Sequence, residues 1–374
     1  MTQRRQIHAL TPGDHFSPRT GSAIPTVVHG LALHARPRPA VLVARGTYEE
    51  RYDSADVIEY DLSRTLHGAP LLARAAEVAA GRLGLPRPRA RAVYRQLLVA
   101  QDEWDPSYVL CHNAPQMVPL VGQRHLPVLY AHNNLLETYA HGETGRVLGR
   151  CYRIVCVSQY TAARAAARLP HHLRDVIRVV PNGVDAPDGE LPGREKAEQL
   201  RVVFLGRVIH EKGPHVVVDA VTRLARKDVT LTVVGSAGFS ATDPLTAYER
   251  RLRVSAKQQV SFVPFQPRPS VPKILRDADV VVIPSLIPEA FGLVALEAMA
   301  AGTVVVASDI GGLPEAVADA GPLFPPGDAI RLAEILEVLA TSAETLEDYR
   351  RRGWALAQSM DWSVISRRLE EALA

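Results

Sequence analysis

The sequence predicts an α/β protein of two doubly wound parallel domains in tandem, and three observations carry that expectation. Short β-branched runs alternate with alanine-rich helical stretches, the rhythm of parallel β/α units. A polar stretch, DAPDGELPGREKAEQ (185–199), interrupts the rhythm with prolines, glycines and charges, after which it restarts. The length, 374 residues, exceeds the usual size of a single core. A first domain is therefore expected at residues 1–185, a linker at 186–199, a second domain at 200–355 and a terminal helix at 356–374.

In chain order, the first half offers strand-like AVLVA (40–44), YVLCHN (108–113), VLYAHNN (128–134), RIVCVS (153–158) and IRVVPNG (177–183). Helical LLARAAEVAAGRL and YTAARAAARL alternate with them. The second half offers RVVFLGR, VTLTVVG, VSFVPF, DVVVIPS and TVVVASD as strands. The final segment, TLEDYRRRGWALAQSMDWSVISRRLEEALA, reads as amphipathic helix broken near Asp361 and Trp362, placed to cross back onto the first domain. In such a pair a ligand is expected in the cleft between domains, off the carboxyl ends of the strands.

Charge and cysteine usage exclude more than they select. Forty-three basic residues against 40 acidic ones leave a net charge of +3, too even to call for a nucleic-acid partner. Cys111, Cys151 and Cys156 have no CxxC or Cys/His ligand spacing, and no apolar run follows the basic start MTQRRQIHALTPGDH. The longest apolar stretches are cut well short of the roughly 20 residues that span a bilayer. A cytoplasmic protein is expected, with peripheral membrane contact not indicated. The run RLGLPRPRARAVYR (82–95), with five arginines and no acid, reads as a solvated helix; a phosphorylated acceptor or anionic lipid is the alternative.

The most informative stretch is VVIPSLIPEAFGLVALEAMAAGTVVVASDIGGLPE (281–315), which sets Glu289 and Glu297 eight positions apart around a glycine-containing helix start. At about 1.5 Å per helical residue they lie up to roughly 12 Å apart, too far to share a proton or flank one scissile bond. That separation suits the two ends of an elongated ligand. Between them, the N–H groups of Phe291, Gly292 and Leu293 open a helix whose positive end favours an anion such as a diphosphate. Glu297 sits in the apolar helix LVALEAMAA, where a carboxylate must find donors. Sugar hydroxyls are one source; a capping role for Glu289 and a backbone or arginine partner for Glu297 are the plain alternative.

FLGRVIHEKGPHVVVDAV (204–221) places Arg207 and Lys212 between a strand and a helix, where two cations can hold a diphosphate leaving group without a metal. Lys212 is one of five lysines beside 38 arginines. Asp277-Ala278-Asp279 is formally a DxD, but it joins a helix end to a buried strand and reads as loop chemistry. No strand is followed by GxGxxG, which disfavours an NAD enzyme. Neither a metal nor a cofactor is expected.

Together, LGRVIHEKG, the Glu289 and Glu297 element and the DIGGLPE turn (309–315) resemble the retaining glycosyltransferases of family four, over nearly the whole chain. The resemblance implies GT-B architecture: two Rossmann-like domains facing across a cleft, the first binding acceptor and the second donor. It implies that Arg207 and Lys212 contact the donor diphosphate, Glu297 the ribose and Glu289 the transferred sugar, with Phe291, Gly292, Leu293 and Val294 lining the same site. YAHNN sets His132, followed by Asn133, at a strand end where the family often has a histidine touching the donor sugar and facing the acceptor. His112 in CHNAP is the less well matched alternative. Gly21 and Ser22 stand where the family often has a Gly-Gly pair near the phosphates. Ser158, Asn182, Gly183 and Asp185 match recurrent family positions and equally suit turns.

The implied reaction moves a sugar from a nucleotide diphosphate sugar, by default a uridine one, to a hydroxyl of a small-molecule, polysaccharide or lipid-linked acceptor, with retention and without metal. The rivals are a nucleotide-sugar epimerase of similar architecture and a catalytically silent nucleotide-sugar-binding protein.

Overall fold

A computed structural model describes residues 4–62, 75, 77–79, 81, 83, 87–193 and 198–374. Most of LLARAAEVAAGRL, Arg82 of the arginine run and residues 194–197 of the expected linker lie outside them. The chain divides into two compact units, Met1–Asn182 with Trp362–Ala374, and Gly183–Asp361.

Among the described residues, the first unit holds a seven-stranded sheet: β1 (Arg5–Ala9), β2 (Ala40–Ala44), β3 (Asp56–Tyr60), β4 (Ser107–His112), β5 (Leu126–Ala131), β6 (Arg153–Cys156) and β7 (Ile177–Val179). Their order is β3-β2-β1-β4-β5-β6-β7, and every pairing is parallel. Helices α1 (Ala23–His34), α2 (Pro88–Leu97), α3 (His141–Leu148) and α4 (Gln159–Ala166) connect them. Because side chains alternate across a strand, each strand feeds two cores. Ile7, Leu42, Val109, Leu129 and Ile154 pack on one face, and Val41 and Val43 pack with Val28 and Ala32 of α1 on the other. The sequence reading found β2 and β4 to β7 but not β1 or β3. RQIHA alternates charge and histidine with its apolar residues, and DVIEY lies at the sheet edge with most of its residues exposed.

The second unit repeats the winding with β8 (Leu200–Leu205), β9 (Val229–Val234), β10 (Val260–Val263), β11 (Val280–Ile283), β12 (Val304–Ser308) and β13 (Leu323–Phe324), again all parallel, in the order β10-β9-β8-β11-β12-β13. Its described helices are α5 (Pro214–Leu224), α6 (Ala247–Ser255), α7 (Val271–Asp277), α8 (Leu293–Ala300), α9 (Leu313–Val317), α10 (Ala329–Thr341) and α11 (Ala343–Ser359). The two-residue β13 carried no legible strand signal.

The stretch expected as a linker is held down by the second unit. The Ala186 N–H donates to Asp361 Oδ2 at 3.2 Å, Trp354 Nε1 and Gln358 Nε2 donate to the Gly189 carbonyl at 3.3 and 3.1 Å, and Arg350 Nη2 donates to the Pro192 carbonyl at 2.9 Å. Polar composition marked a surface segment, and that segment spends its backbone carbonyls on α11.

The last helix, α12 (Trp362–Leu373), packs on α1 within the first unit. Trp362, Ile365, Leu369 and Leu373 recur at helical spacing and are buried, each contributing about 1.5–3 kcal/mol of apolar burial. The Ser366 hydroxyl donates to the Leu31 carbonyl at 3.2 Å, and Glu370 accepts from the Arg36 N–H at 3.1 Å. Gly30 of α1 makes room for the Trp362 ring, since a Cβ there would lie 2.2 Å from its Cε2. Gly30→Ala would gain up to about 1 kcal/mol of helix propensity at an open site. Here we expect a net loss of about 1–3 kcal/mol from overpacking, measured as a lowered denaturation midpoint; a raised midpoint would mean that the α1–α12 packing is wrong.

Candidate active site

In each sheet the winding reverses where the first strand meets the fourth: between β1 and β4, and between β8 and β11. Loops leaving the carboxyl ends of such neighbouring strands run in opposite directions and open a crevice there. Arg207, Lys212 and Glu289 lie on the loops at the second of these places, and His112 ends β4 at the first, hydrogen-bonded to His132.

In the second unit, β8 is followed by Gly206, whose N–H donates to the Val234 carbonyl at 3.1 Å, and the Val208 N–H donates to the Ser236 carbonyl at 3.0 Å. Arg207 between them is turned outward, exposed, with its guanidinium making no hydrogen bond among the described residues. A single 3₁₀ turn, His210–Lys212, leads to Gly213 at φ 68°, and Pro214 then starts α5. A Cβ on Gly213 would lie 1.9 Å from the Pro284 carbonyl oxygen, so the β8 loop touches the backbone of the β11 loop. The Leu286 N–H donates to the Glu211 carbonyl at 2.9 Å and fastens the same contact.

That approach brings Lys212 to Glu289. Lys212 Nζ donates to Glu289 Oε1 at 2.5 Å, and the Ser285 hydroxyl donates to the same oxygen at 2.5 Å. The DIGGLPE turn holds the glutamate's backbone. The Gly312 N–H donates to the Glu289 carbonyl at 2.7 Å, and a Cβ on Gly311 would lie 2.4 Å from that carbonyl oxygen. The three segments that carried the family resemblance are therefore one backbone-linked structure.

The helix starts one residue later than its expected first glycine. Gly292 is the N-cap of α8 at φ 115°, and a Cβ there would meet Leu313 Cδ2 at 2.6 Å. Glu289 thus precedes the helix, while Glu297 stands on it one turn in, about 6 Å along the axis from Leu293. The leading N–H groups of α8, at Leu293 and Val294, have no intrahelical acceptors, and Phe291 is buried beneath them. Arg268, from the 3₁₀ turn Arg268–Ser270 after β10, pairs with Glu297 Oε1, while Glu297 Oε2 is buried with no hydrogen-bond partner among the described residues. The plain alternative of an arginine partner is half met, and one carboxylate oxygen remains to be satisfied. Sequence reading missed Arg268 because nothing local links a turn after β10 to a helix after β11.

In the first unit, His132 follows β5 directly. Its N–H donates to Asn113 Oδ1 at 2.9 Å, and Asn113 itself sits in the left-handed region at φ 48° just past β4. His132 Nε2 lies 2.7 Å from His112 Nδ1, and His112 Nε2 lies 2.9 Å from His8 Nδ1. His112 was the lesser alternative to His132; the two are hydrogen-bonded neighbours. His8, one residue short of the end of β1, was missed because β1 was not recognised. Burial pushes His8 and His132 down to about 3 and holds His112 well below the ordinary histidine value, with neighbouring imidazoles adding a smaller push on His112 and His132. All three rings are therefore neutral at neutral pH.

The remaining candidates are dispersed or structurally engaged. Gly21 is exposed, and the Ser22 hydroxyl donates to Asp14 Oδ1 at 2.6 Å ahead of α1. Asn133 is exposed. Ser158 caps α4 in a reciprocal capping box with Thr161. Asp279 accepts two bonds from the Arg201 guanidinium at 2.9 and 3.0 Å, and Asp277 pairs with Lys273 at 2.8 Å. The Asp277–Asp279 pair stands before β11, at the strand's amino end, opposite the edge that carries Glu289. Arg87 of the arginine run is buried on Glu143 through two bonds at 2.6 and 2.9 Å and stabilises the first core. Among the described residues no helix is long and apolar enough to cross a membrane.

Two outcomes follow from this geometry. Gly213→Ala should cost roughly 2 kcal/mol or more, from left-handed strain plus the clash with Pro284, read as a lower chemical-denaturation midpoint; a neutral effect would contradict the loop contact. His8 is neutral when folded, whereas unfolded histidine titrates near 6.5. Below that pH the unfolded chain binds more protons, so stability should fall as pH drops from about 6.5 towards 3, at up to about 1.4 kcal/mol per pH unit for His8. Denaturation midpoints at pH 7.5 and 5.5 check this, and a flat profile would contradict a buried neutral ring.

Comparison with known proteins agrees with this organisation. A model described as Glycosyltransferase Family 4 matches residues 26–187, and one described as Glycosyl transferases group 1 matches residues 192–354. The D-inositol 3-phosphate glycosyltransferase of Segniliparus rotundus is 39% identical over 203 residues, covering 50% of this chain and 44% of that protein. Its counterpart from Nocardia farcinica is 32% identical over 276 residues, covering 68% and 61%. The chain thus spans about half the length of the curated relatives it matches. Among solved structures, Anabaena HepE with UDP and glucose is similar at a TM-score of 0.71, with 20% identity over 99% of both chains. Sucrose-phosphate synthase from Thermosynechococcus elongatus is similar at 0.72, with 19% identity over 98% of both. These last two are likenesses of fold, that of the GT-B proteins. With one family model on each of its two Rossmann-like units, the chain belongs to the glycosyltransferases of family four.

Proposed function

We propose that the chain transfers a sugar from a nucleotide diphosphate sugar, a uridine one by preference, to an acceptor hydroxyl with retention at the anomeric carbon. The observation that carries the reading is the meeting of the β8 and β11 loops. It sets Lys212 against Glu289 and, among the described residues, leaves the Arg207 guanidinium and one buried oxygen of Glu297, one turn into α8, without hydrogen-bond partners. Glu297 Oε2 takes a ribose hydroxyl, Arg207, Lys212 and the α8 start take the diphosphate, and Glu289 takes hydroxyls of the sugar. Related names support the same chemistry: HepE was solved with UDP, and curated relatives are named for an inositol phosphate. A phosphorylated polyol or sugar is accordingly the acceptor class to try first, ahead of polysaccharide and lipid-linked acceptors.

In the proposed step the acceptor oxygen bonds to the anomeric carbon while the bond from that carbon to the diphosphate oxygen breaks. The acceptor proton passes to the departing phosphate oxygen. Lys212 and Arg207 stabilise the charge that develops there, so positioning and electrostatics carry the catalysis and the reading assigns no metal.

Product analysis with donor and acceptor, in the presence of a chelator, tests the reading. A retained glycoside supports it; an altered nucleotide sugar formed without acceptor identifies an epimerase, and binding without turnover a silent binder. Glu297→Ala should weaken UDP binding about tenfold. Lys212→Ala should lower turnover about a hundredfold or more. Both effects are read by calorimetry and steady-state kinetics, and full activity in both variants would remove these residues from the site.

A further inference from the structure

The three histidines of the first unit form a directional chain. His8 shares a sheet face with its register partner Val41, under α1, and His8 and His112 are wholly buried. His132 at the strand end is half-buried, and its Nδ1 makes no hydrogen bond among the described residues. The links run His132 Nε2 to His112 Nδ1, then His112 Nε2 to His8 Nδ1.

Each nitrogen–nitrogen link needs one hydrogen and one lone pair, and each neutral ring carries one N–H. Only two arrangements satisfy both links. In the inward one, every ring carries hydrogen on Nε2: His132 presents a bare Nδ1, a base, and the hydrogen at the far end sits on His8 Nε2. In the outward one, every ring carries hydrogen on Nδ1: His132 presents Nδ1–H, and His8 Nε2 is bare. His8 Nε2 is buried with no partner among the described residues. The inward arrangement strands an N–H donor in the core, and buried donors seldom go unpaired. The outward arrangement strands only a lone pair and puts the free N–H at the half-buried end.

We propose that His8 and His112 are positioning residues that lock His132 as the Nδ1–H tautomer, making it a hydrogen-bond donor to a substrate oxygen and not a general base. The role assigned to the donated hydrogen rests on the glycosyltransferase reading; the tautomer does not. A donor at this place agrees with a reaction in which the leaving phosphate takes the acceptor proton. It also explains why a chain of aromatic stacking, with Tyr130 4.5 Å from His132 and 5.0 Å from His112 between ring centroids, keeps the imidazoles in register.

The test is the histidine nitrogen–proton correlation spectrum of the full ¹⁵N-labelled chain at pH 7.5, with His132 assigned by the signals lost in His132→Gln. The expected pattern for His132 is hydrogen on Nδ1; hydrogen on Nε2 in the wild type would overturn the proposal without any further variant. His8→Asn places an amide N–H where His8 Nδ1 stands, and should keep the His132 tautomer and the transfer rate within about threefold. His8→Leu removes that donor; it should release the tautomer and lower kcat about tenfold, the worth of one hydrogen bond, with UDP affinity unchanged. Equal behaviour of the two variants would show a packing role only. Failure of the wild type to transfer any sugar would count against the functional reading and leave the tautomer result standing.

Discussion

Gly213 has no room for a side chain, because the Pro284 carbonyl oxygen occupies the place its Cβ would take. This contact exists because β8 and β11 are neighbours in the sheet although two βα units separate them in sequence. The loop from one strand must pass over the backbone of the other, and glycine in the left-handed conformation lets it do so. Everything assigned to the second unit's site depends on that approach. Lys212 is the residue before the glycine, Glu289 lies five residues after the proline, and the Gly311–Gly312 turn closes on the glutamate's backbone from the next strand. An ion pair between residues 77 apart in sequence is thereby set by backbone packing, not by side-chain reach.

The first unit uses the same winding to a different electrostatic end. Its reversal falls between β1 and β4, and there the sheet carries histidines in place of a lysine and a glutamate. Burial keeps those rings neutral, so this crevice offers hydrogen bonds without net charge. The second unit's crevice offers cations and carboxylates. Two copies of one topology thus present two kinds of surface, one neutral and polar, the other charged.

Much of this was legible from sequence because it resides in periodicity and glycine placement. The β-branched runs of β2, β8, β9, β11 and β12 are mostly buried and read as strands; β1 and β3 escaped because polar residues dilute them. The glutamates were found from their awkwardness, one of them a carboxylate in an apolar helix. The partner that meets half of that awkwardness was not, since Arg268 reaches one Glu297 oxygen from a turn after β10 through the tertiary fold. The aspartates before β11 show the converse: a metal-like spacing that the fold spends on Arg201 and Lys273. His8 required knowing that β1 lies beside β4, which only the sheet order reveals.

The central claim is that the crevice between β8 and β11 holds a nucleoside diphosphate group. Backbone hydrogen exchange of the intact chain, measured with and without UDP, tests it most directly. The account predicts protection concentrated in residues 206–216 and 285–297, where the Gly213 loop and the α8 start present their N–H groups. Protection confined to other segments of the chain, or none at saturating UDP, would contradict it.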